Sequence, residues 1–589
     1  MFTQVEQIQN RMSPEALDQL SRIFAPREVA VPVQDPMEGL CVTPDGEIRF
    51  YGEGKFANRQ VDGKRVYLSS GDGGLNWSFH EVDSDLRLGR CLYAEGCDLY
   101  IKFVSVEDTE TDRHIPALQQ YAKGTFALLS NGGPDSTEYS VYKVNDNHMH
   151  IFRQLLYFPE IHRLLTVSQF DDMDGDTSAV LYSDDFGKTW TTLALPRLPK
   201  REITPPDKWI RWQNYSCEPT VVQLDGAKLQ IVFRTSYNFH YQYVSEDYGE
   251  TWSKPFPTDF HGTLTMPLLK RLSNGNLLFL WCNTQPLPEL SPEEYPLPLS
   301  NWEKEGIHEI VFTNRDANHA AISDDNGKTW HGFREMALNP IRNHADFRSA
   351  GQKQEGLDKS VHQFECVELP LGKVLVAYGQ NSACRRIIIF DPAWLLENER
   401  REDFLTGTTN VSTHTYLTSV PGVIRGYHAH CSWNRTDGPV LMPDPDGNYR
   451  EALYLTRVND PRLFSQAQGV VWNFPATHSG TVTFMAHLSA AGLTVCLTDH
   501  WYNPIDTEVM SEAPISFVLD ETCAETGTWI PITVFFQPGN YSVTVNTKPI
   551  IRSSIISASV YGLSYLHIQS REPIPGTGSY VRDFYAFNR

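Results

Sequence analysis

Short apolar runs separated by turn residues fill most of the chain from about residue 29 onward. The runs are rich in Val, Ile, Leu, Phe and Tyr, and Asp-Gly or Asn-Gly pairs break them. This pattern predicts antiparallel strands joined by tight hairpins. Helical spacing of apolar residues is found before them, over residues 12–25, where Ser13 is the expected N-cap and Pro14 the first helical residue. One short N-terminal helix is therefore predicted.

One motif, Ser-x-Asp-x-Gly-x-(Thr/Asn)-Trp, occurs four times within the first 330 residues, starting at Ser70, Ser183, Ser245 and Ser323. Its Asp and Gly suit a hairpin turn, its Ser and Asp can bond the free amides of that turn, and its Trp can pack beneath. A motif with fixed chemistry and variable spacing marks a repeated unit that must stack on its neighbours to bury its apolar face. The motif resembles the Asp boxes of the sialidase-like β-propellers.

The turns divide the chain into six units, at about 29–82, 86–145, 149–200, 215–257, 263–337 and 361–395. Six units of three or four strands predict a six-bladed β-propeller, in which radial repetition leaves few exposed sheet edges. Six is also the blade number that the sialidase resemblance implies. In such a ring, the innermost strands surround a central channel.

The predicted fold class is all-β, with the propeller followed by an antiparallel β-sandwich of jelly-roll type. Residues 1–28 form an N-terminal helical segment, 29–390 the propeller, which we expect to be catalytic, 391–406 a linker helix, and 407–589 the sandwich. The sandwich sequence resembles laminin-G or concanavalin-like modules. Two roles remain open for it, because such a module either binds glycan or buttresses the propeller.

Charge and composition limit the partners and compartments. The 72 acidic against 50 basic residues give 589 residues a net charge of −22, which disfavours nucleic acid and anionic membranes as partners. No stretch approaches the roughly 20 apolar residues of a membrane span. The N-terminus does not resemble a signal peptide, so we expect a cytoplasmic protein, or a secreted or periplasmic one whose signal was removed. Ten cysteines without metal-ligand spacing favour a reducing compartment, and neither metal nor cofactor is expected.

Candidate site residues should lie where the innermost strands reach the channel, about ten residues before the first turn of each unit. Glu218 stands there in the fourth unit, Arg234 follows sixteen residues later, and Arg315 precedes the fourth Asp box. The sialidase resemblance implies a glutamate that works with a catalytic tyrosine, and arginines that bind the substrate carboxylate. Two guanidiniums in a concave site suit a planar anion. The alternative is that each arginine pairs with a nearby acid and holds a blade edge.

The chain also departs from the sialidase pattern. The first-blade arginine of that family is replaced by Pro-Met-Glu at 36–38, which leaves Arg59 or Arg90 as substitutes. The catalytic tyrosine is expected in the sixth unit, where this chain has His362 and Gln363. Without a phenol at that position, the covalent tyrosyl mechanism of sialidases cannot be carried over.

The position of the family's acid/base aspartate falls on Asp62, which is read more simply as part of an Asp-Gly turn. Histidines occupy several strand ends instead, among them His150 in the third unit and His240 in the fourth. A histidine near neutral pKa can transfer protons in either direction, although strand-end histidines also bond loop carbonyls. Tyr237 is a candidate for stacking on a sugar ring, with core packing as its alternative.

The sequence therefore predicts an exo-acting glycoside hydrolase that removes a terminal acidic sugar from an oligosaccharide or polysaccharide. Glu218 is the expected base or part of the nucleophilic pair, His362 or His150 handles protons, and Arg234 with Arg315 holds the anion. One alternative is a polysaccharide lyase that uses His and Tyr with an arginine clamp on a uronate. Another is a non-catalytic glycan-binding propeller, because fold alone does not give activity. The sequence leaves the oligomeric state open.

Overall fold

The computed structural model describes residues 3–32, 39–51, 65–82, 91–106, 118, 120, 123–172, 175–199, 216–286, 315–340, 342–343, 360–379, 385–416, 435–436, 438–461, 465–555 and 559–589. Two helices begin the chain, α1 (Gln4–Arg11) and α2 (Pro14–Ser21). Ser13 Oγ accepts a hydrogen bond from Ala16 N at 3.1 Å, which confirms the predicted N-cap of α2. Helix α1 was not predicted, although Thr3 and Glu6 form a capping box at its start.

Six four-stranded antiparallel sheets follow in chain order. Strand β1 (Arg27–Val29) precedes the first blade, which contains β2 (Leu40–Val42), β3 (Ile48–Tyr51), β4 (Arg65–Ser70) and β5 (Ser78–Val82). The second blade contains β6 (Leu92–Ala94), β7 (Leu99–Val106), β8 (Gly124–Ser130) and β9 (Ser140–Asn145). The third contains β10 (Leu155–Phe158), β11 (Arg163–Asp172), β12 (Gly175–Ser183) and β13 (Thr191–Ala194).

The fourth blade contains β14 (Cys217–Asp225), β15 (Lys228–Arg234), β16 (Phe239–Ser245) and β17 (Phe256–His261). The fifth contains β18 (Leu268–Arg271), β19 (Leu277–Trp281), β20 (Ala317–Ser323) and β21 (His331–Leu338). The sixth contains β22 (Glu365–Glu368), β23 (Val374–Tyr378) and β24 (Arg386–Phe390), and β1 is its fourth strand. The predicted six-bladed propeller is confirmed.

Ring closure joins the N-terminal strand to the last blade. Strand β1 pairs antiparallel with β24, so that Val29 lies opposite Ile387. The assignment of Val29 to the first unit was therefore wrong, because this strand completes the sixth blade, whose outer edge would otherwise be unpaired. A second link joins the sixth blade to the first. The Glu365 carboxylate accepts hydrogen bonds from Gly39 N at 2.9 Å and Leu40 N at 2.6 Å.

Each Asp box forms the turn between the third and fourth strands of its blade. In the third blade, Ser183 Oγ accepts from Gly187 N and donates to Asp185 Oδ1, both at 2.8 Å. Asp185 accepts from Thr189 N at 2.9 Å, and Trp190 Nε1 donates to Gly187 O at 2.9 Å. The same bonds recur in the boxes of the first, fourth and fifth blades. The boxes thus stabilise outer turns, as predicted.

Apolar side chains pack between neighbouring blades. Leu165 and Val180 of the third blade share one buried cluster with Ile231 and Phe233 of the fourth. Since each sheet is covered by the next one around the ring, the apolar runs of the inner strands need no separate layer of helices. The result is a rigid ring on which strand ends can be placed accurately.

The second domain is the predicted β-sandwich. Its strands are β25 (Glu399–Glu402), β26 (Thr415–Tyr416), β27 (Arg435–Thr436), β28 (Val440–Pro443), β29 (Glu451–Leu455), β30 (Gly469–Thr477), β31 (Gly480–His487), β32 (Leu493–Thr498), β33 (Ile515–Leu519), β34 (Trp529–Gln537), β35 (Asn540–Val545), β36 (Lys548–Ser554), β37 (Leu563–Ser570) and β38 (Ser579–Asn588). One sheet has the order β28-β29-β38-β31-β34-β35-β36, with β25 also paired to β38, and the other has the order β30-β37-β32-β33. Helix α3 (Val509–Glu512) follows β32. Among the described helices, none is long and apolar enough to span a membrane.

The predicted linker helix over 391–406 is wrong. A short 3-10 turn, Pro392–Leu396, starts where Asp391 caps Ala393 N, and the chain then extends into β25. Strand β25 pairs with β38, so the tertiary partner at the sheet edge overrides the local preference of a Glu- and Arg-rich segment for helix. Residues 399–402 therefore belong to the sandwich.

A buried chain of hydrogen bonds joins the fifth blade to the sandwich. Asn283 N donates to His319 Nδ1 at 3.0 Å, which leaves the proton of that ring on Nε2. His319 Nε2 in turn contacts Tyr565 Oη, and Tyr565 donates to Glu335 Oε1 at 3.0 Å. Beside it, the side chain of Asn473 accepts from Glu335 N at 2.9 Å. These polar groups are almost completely buried, so their order fixes how the two domains dock.

Replacing Tyr565 by Phe is expected to lower the free energy of unfolding by about 1–3 kcal/mol, because the buried Glu335 carboxylate loses a donor that water cannot replace. Tyr585 is the matched control, since its hydroxyl also donates to a glutamate, Glu399, but at an exposed position. Thermal melts should show a clear loss for Y565F and little change for Y585F. Equal losses would contradict a buried role for the Tyr565 bond.

The free energy of unfolding is expected to fall as the pH is lowered below about 6.5. Burial lowers the pKa of His240 and His319 to about 3 and that of His567 to about 4. An unfolded histidine has a pKa of about 6.5, so unfolding takes up protons below that pH and each histidine destabilises the fold by about 1.4 kcal/mol per pH unit. Melting temperatures measured from pH 8 to pH 4 should fall from about pH 6.5 downward. A flat profile down to pH 5 would contradict this.

Candidate functional site

The strand order brings an acid and an arginine together where the inner strands of the propeller begin. Glu218 is the second residue of β14 and Arg234 the last of β15, and the antiparallel register places Cys217 opposite Arg234. Arg234 Nη1 donates to Glu218 Oε2 at 3.0 Å. Glu218 is 8% exposed and Arg234 3%, so this ion pair is held in the interior rather than at a wet surface.

The backbone at Glu218 turns sharply into the channel strand. Its φ of 48° lies in the left-handed region, which is unusual for a residue other than glycine. The same region recurs just before the inner strands of other blades, at Gly39, Ile151, Leu264 and Gln363. The turn is therefore a repeated device of the ring, and its effect is to point the residue beside it toward the channel end.

Arg315 lies next to the segment that carries His362. It is completely buried two residues before β20, and its side chain donates to Leu264 O. Its own carbonyl accepts a hydrogen bond from Val361 N at 2.9 Å. The third strand of the fifth blade and the approach to the sixth blade are thus joined by backbone at the site.

His362 is almost completely buried, and its Nδ1 lies 2.8 Å from Ser360 Oγ. Burial, together with the positive charges of Arg315, Arg234 and Arg153, holds the pKa of His362 well below its usual range. The imidazole is therefore neutral at pH 7. Within the described part of the chain, His362 Nε2 has no hydrogen-bond partner, and this nitrogen is itself buried.

His150 is linked to Glu218 through a single residue. Its backbone exchanges hydrogen bonds with Gln169, at 2.8 and 2.9 Å, just ahead of β10. The side-chain oxygen of Gln169 accepts from Glu218 N at 2.9 Å. This bridge couples the third and fourth blades at the site.

Two residues that the sequence analysis missed cross the channel. Arg153 donates to Pro267 O at 2.6 Å and to Phe364 O at 2.8 Å, so it joins the third blade to the fifth and sixth. Gln154 Oε1 accepts from Val221 N at 2.8 Å, and its amide nitrogen donates to Leu269 O at 2.5 Å. The available signal was the polar pair Arg-Gln just before the apolar strand β10, where a channel-facing position was already expected.

The structure places three further predicted site residues, Tyr237, His240 and Gln363, and leaves three others undescribed. Arg59, Arg90 and Asp62 lie outside the described residues. Tyr237 is half-buried, and its hydroxyl donates to Pro199 O at 3.1 Å. His240 is completely buried beneath Gly262, where an added Cβ would lie 2.1 Å from the imidazole Nε2, so it presents no surface to a ligand. Gln363 stands beside His362 and is half-buried.

Comparison with known families places the centre of this site in a repeat family. Residues 147–341 match the family model described as the BNR repeat-like domain. They cover the third to fifth blades, three of the four Asp boxes, and Glu218, Arg234 and Arg315. The similarity to this family is limited to these residues.

Among solved structures, the chain is similar to Trypanosoma rangeli sialidase, at 12% identity and a TM-score of 0.36, covering 95% of this chain and 92% of the other. A variant of the NanB sialidase from Streptococcus pneumoniae is similar at 11% identity and a TM-score of 0.37, covering 65% of this chain and 73% of the other. No curated protein sequence matches the chain. The chemistry of the propeller must therefore be argued from its own residues.

Replacing Arg234 by Met is expected to destabilise the propeller by about 3–5 kcal/mol, because the Glu218 carboxylate would stay buried without its partner. Adding Glu218→Gln to that variant should recover part of the loss. Arg22→Met is the control, since Arg22 pairs with Asp18 at an exposed site and the change should cost about 0–1 kcal/mol. Melting temperatures of the four proteins test this, and a double variant no more stable than R234M would contradict the pairing.

Proposed function

We propose that the protein is a glycoside hydrolase whose propeller removes a terminal acidic sugar from a glycan. The observation that carries the proposal is the buried Glu218–Arg234 pair beside Arg315 and His362. A carboxylate held by an arginine at a channel end, next to a neutral imidazole, supplies a base or nucleophile partner together with an anion site.

The local charge supports an acidic substrate. The charged groups that act on His362 are the arginines at 153, 234 and 315, whereas the chain as a whole carries a net charge of −22. Concentrated positive charge in a low-dielectric site attracts a carboxylate and aligns it by paired hydrogen bonds. The carboxylate of the sugar would then contact the arginines, and the glycosidic bond of the sugar would face Glu218.

The roles of the two proton-handling groups differ. His362 is neutral, so in the free protein it serves as a proton acceptor or hydrogen-bond acceptor at Nε2 and not as an acid. Glycosidases commonly use two carboxylates, one as acid and one as base or nucleophile. Glu218 takes one of these roles in our proposal, and His150 is the other candidate for proton transfer.

One observation favours a second candidate, a lyase acting on a uronate polysaccharide. A β-elimination needs a cation to neutralise the uronate carboxylate and a neutral base to remove the neighbouring proton. Arg315 and the unbonded Nε2 of His362 supply this pair of groups in close proximity. The leaving sugar oxygen would still require a proton, which a tyrosine would donate in such a reaction.

Replacing Glu218 by Gln is expected to abolish turnover and to preserve binding, because the amide keeps the shape of the side chain but cannot act as a base. Glu250→Gln is the matched control, since Glu250 also pairs with an arginine, Arg163, but on the outer side of the blades. The substrates are chromogenic sialosides, uronides and neutral glycosides, together with acidic polysaccharides. Unchanged turnover in E218Q would exclude Glu218 from the reaction.

The product distinguishes the two reactions. A hydrolase releases a saturated sugar, whereas a lyase releases an unsaturated uronate that absorbs in the ultraviolet. Binding of acidic glycans without any product in the native protein would instead support the non-catalytic alternative.

A further inference from the structure

Two histidines and an aspartate meet at the joint between the propeller and the sandwich. His261 is the last residue of β17, and Asp499 and His500 follow β32 directly. The Asp499 carboxylate oxygen Oδ1 lies 2.6 Å from His500 Nδ1 and 3.9 Å from His261 Nε2. The two imidazole rings are stacked, with centroids 3.6 Å apart and planes inclined by 17°. One ligand atom from each residue falls within 4.8 Å of the others.

The ring of His500 is oriented by its second nitrogen. His500 Nε2 lies 2.9 Å from the side-chain oxygen of Gln285, which follows strand β19 of the fifth blade. A histidine that binds a metal commonly donates its other ring N–H to a carbonyl or carboxylate in this way. With Nε2 held by Gln285, Nδ1 is directed toward Asp499.

His261 has no comparable hydrogen bonds within the described residues. Its Nδ1 is buried without a partner there, and its Nε2 is too far from Asp499 for a hydrogen bond. Burying that nitrogen without a hydrogen bond is unfavourable. The other nitrogen, Nε2, faces Asp499, and a cation placed between them would bind both His261 Nε2 and the carboxylate.

We propose that His261, Asp499 and His500 bind one divalent transition-metal ion, zinc being the best match to this ligand set. Zinc takes nitrogen and carboxylate oxygen at about 2.0–2.2 Å in tetrahedral geometry, which separates neighbouring ligand atoms by roughly 3.3 Å. The observed separations of 2.6 and 3.9 Å lie on either side of that value, and the stacked rings must turn for both nitrogens to face one ion. Three protein ligands leave the fourth position to water.

The site would tie the two domains together. Of the three ligands, His261 comes from the fourth blade, and Asp499 and His500 come from the sandwich. Gln285, which orients His500, comes from the fifth blade. The side chains of His261 and Asp499 are 19% and 23% exposed, which gives an ion a route from solvent. A metal that binds only the docked arrangement stabilises it by mass action. Residue spacing does not indicate such a site, because its ligands lie in distant segments.

Zinc titration of the full-length protein, after chelator treatment and dialysis, tests the proposal. We expect one zinc per chain by calorimetry and a higher melting temperature, which a chelator reverses. His261→Gln, Asp499→Asn and His500→Gln should each weaken zinc binding by about 100-fold, and Gln285→Ala by about 10-fold. His331→Gln, on an exposed residue of β21, is the matched control and should bind like the native chain.

Cobalt provides a second readout that does not depend on stability. Co²⁺ in the native protein should give the intense visible bands of four-coordination, and these should be lost in D499N, whose side chain keeps its size. The proposal is overturned if the native protein binds no zinc. It is also overturned if the three ligand variants bind zinc as tightly as the His331 control. None of these measurements uses catalytic activity, so they stand apart from the proposed hydrolase.

Discussion

Closure of the ring is the constraint on which the rest of the structure depends. The site takes residues from the third to the sixth blades, and these converge only if every blade keeps its angle to the next. Pairing of β1 with β24 provides the closure, and Arg386 reinforces it with an ion pair of 3.0 Å to Glu28. Inside the ring, the side chains of Arg153 and Gln154 join four blades by hydrogen bonds to backbone groups of the other three. A channel end built in this way holds its side chains without help from a ligand.

That rigidity permits an arrangement that would be unfavourable in a softer fold. Glu218 and Arg234 are both removed from water, and burying an ion pair costs desolvation energy that the mutual attraction offsets only when the geometry is good. Arg315 adds positive charge, which lowers the affinity of His362 for a proton. In the proposed function, these charges favour binding of an anion and not the stability of the unliganded fold. Such a trade is expected where side chains serve binding.

Sequence predicts these features well where the interactions are local. The hydrogen bonds among the motif residues of an Asp box join positions at most four apart, so the motif is sufficient to predict its turn. The proximity of Glu218 and Arg234 was accessible because both lie on one hairpin, sixteen residues apart. Their ion pair matches the alternative in which an arginine pairs with a nearby acid. Arg153 meets Phe364 across 211 positions, and His500 meets Gln285 across 215, which no periodicity reveals. The prediction of a helix over residues 391–406 was wrong for the same reason, because the strand partner of this segment, β38, comes at the end of the chain.

The sandwich acts on the site through a short piece of backbone. His261, which contacts Asp499, is three residues before Leu264, and the carbonyl of Leu264 accepts the side-chain hydrogen bond of Arg315. The backbone between them is itself anchored, since Leu264 N donates to Thr235 O at 2.9 Å, next to Arg234. A shift of the sandwich at His261 would therefore reach both arginines of the proposed anion site. Of the two roles that the sequence left open for the sandwich, this connection favours that of a buttress.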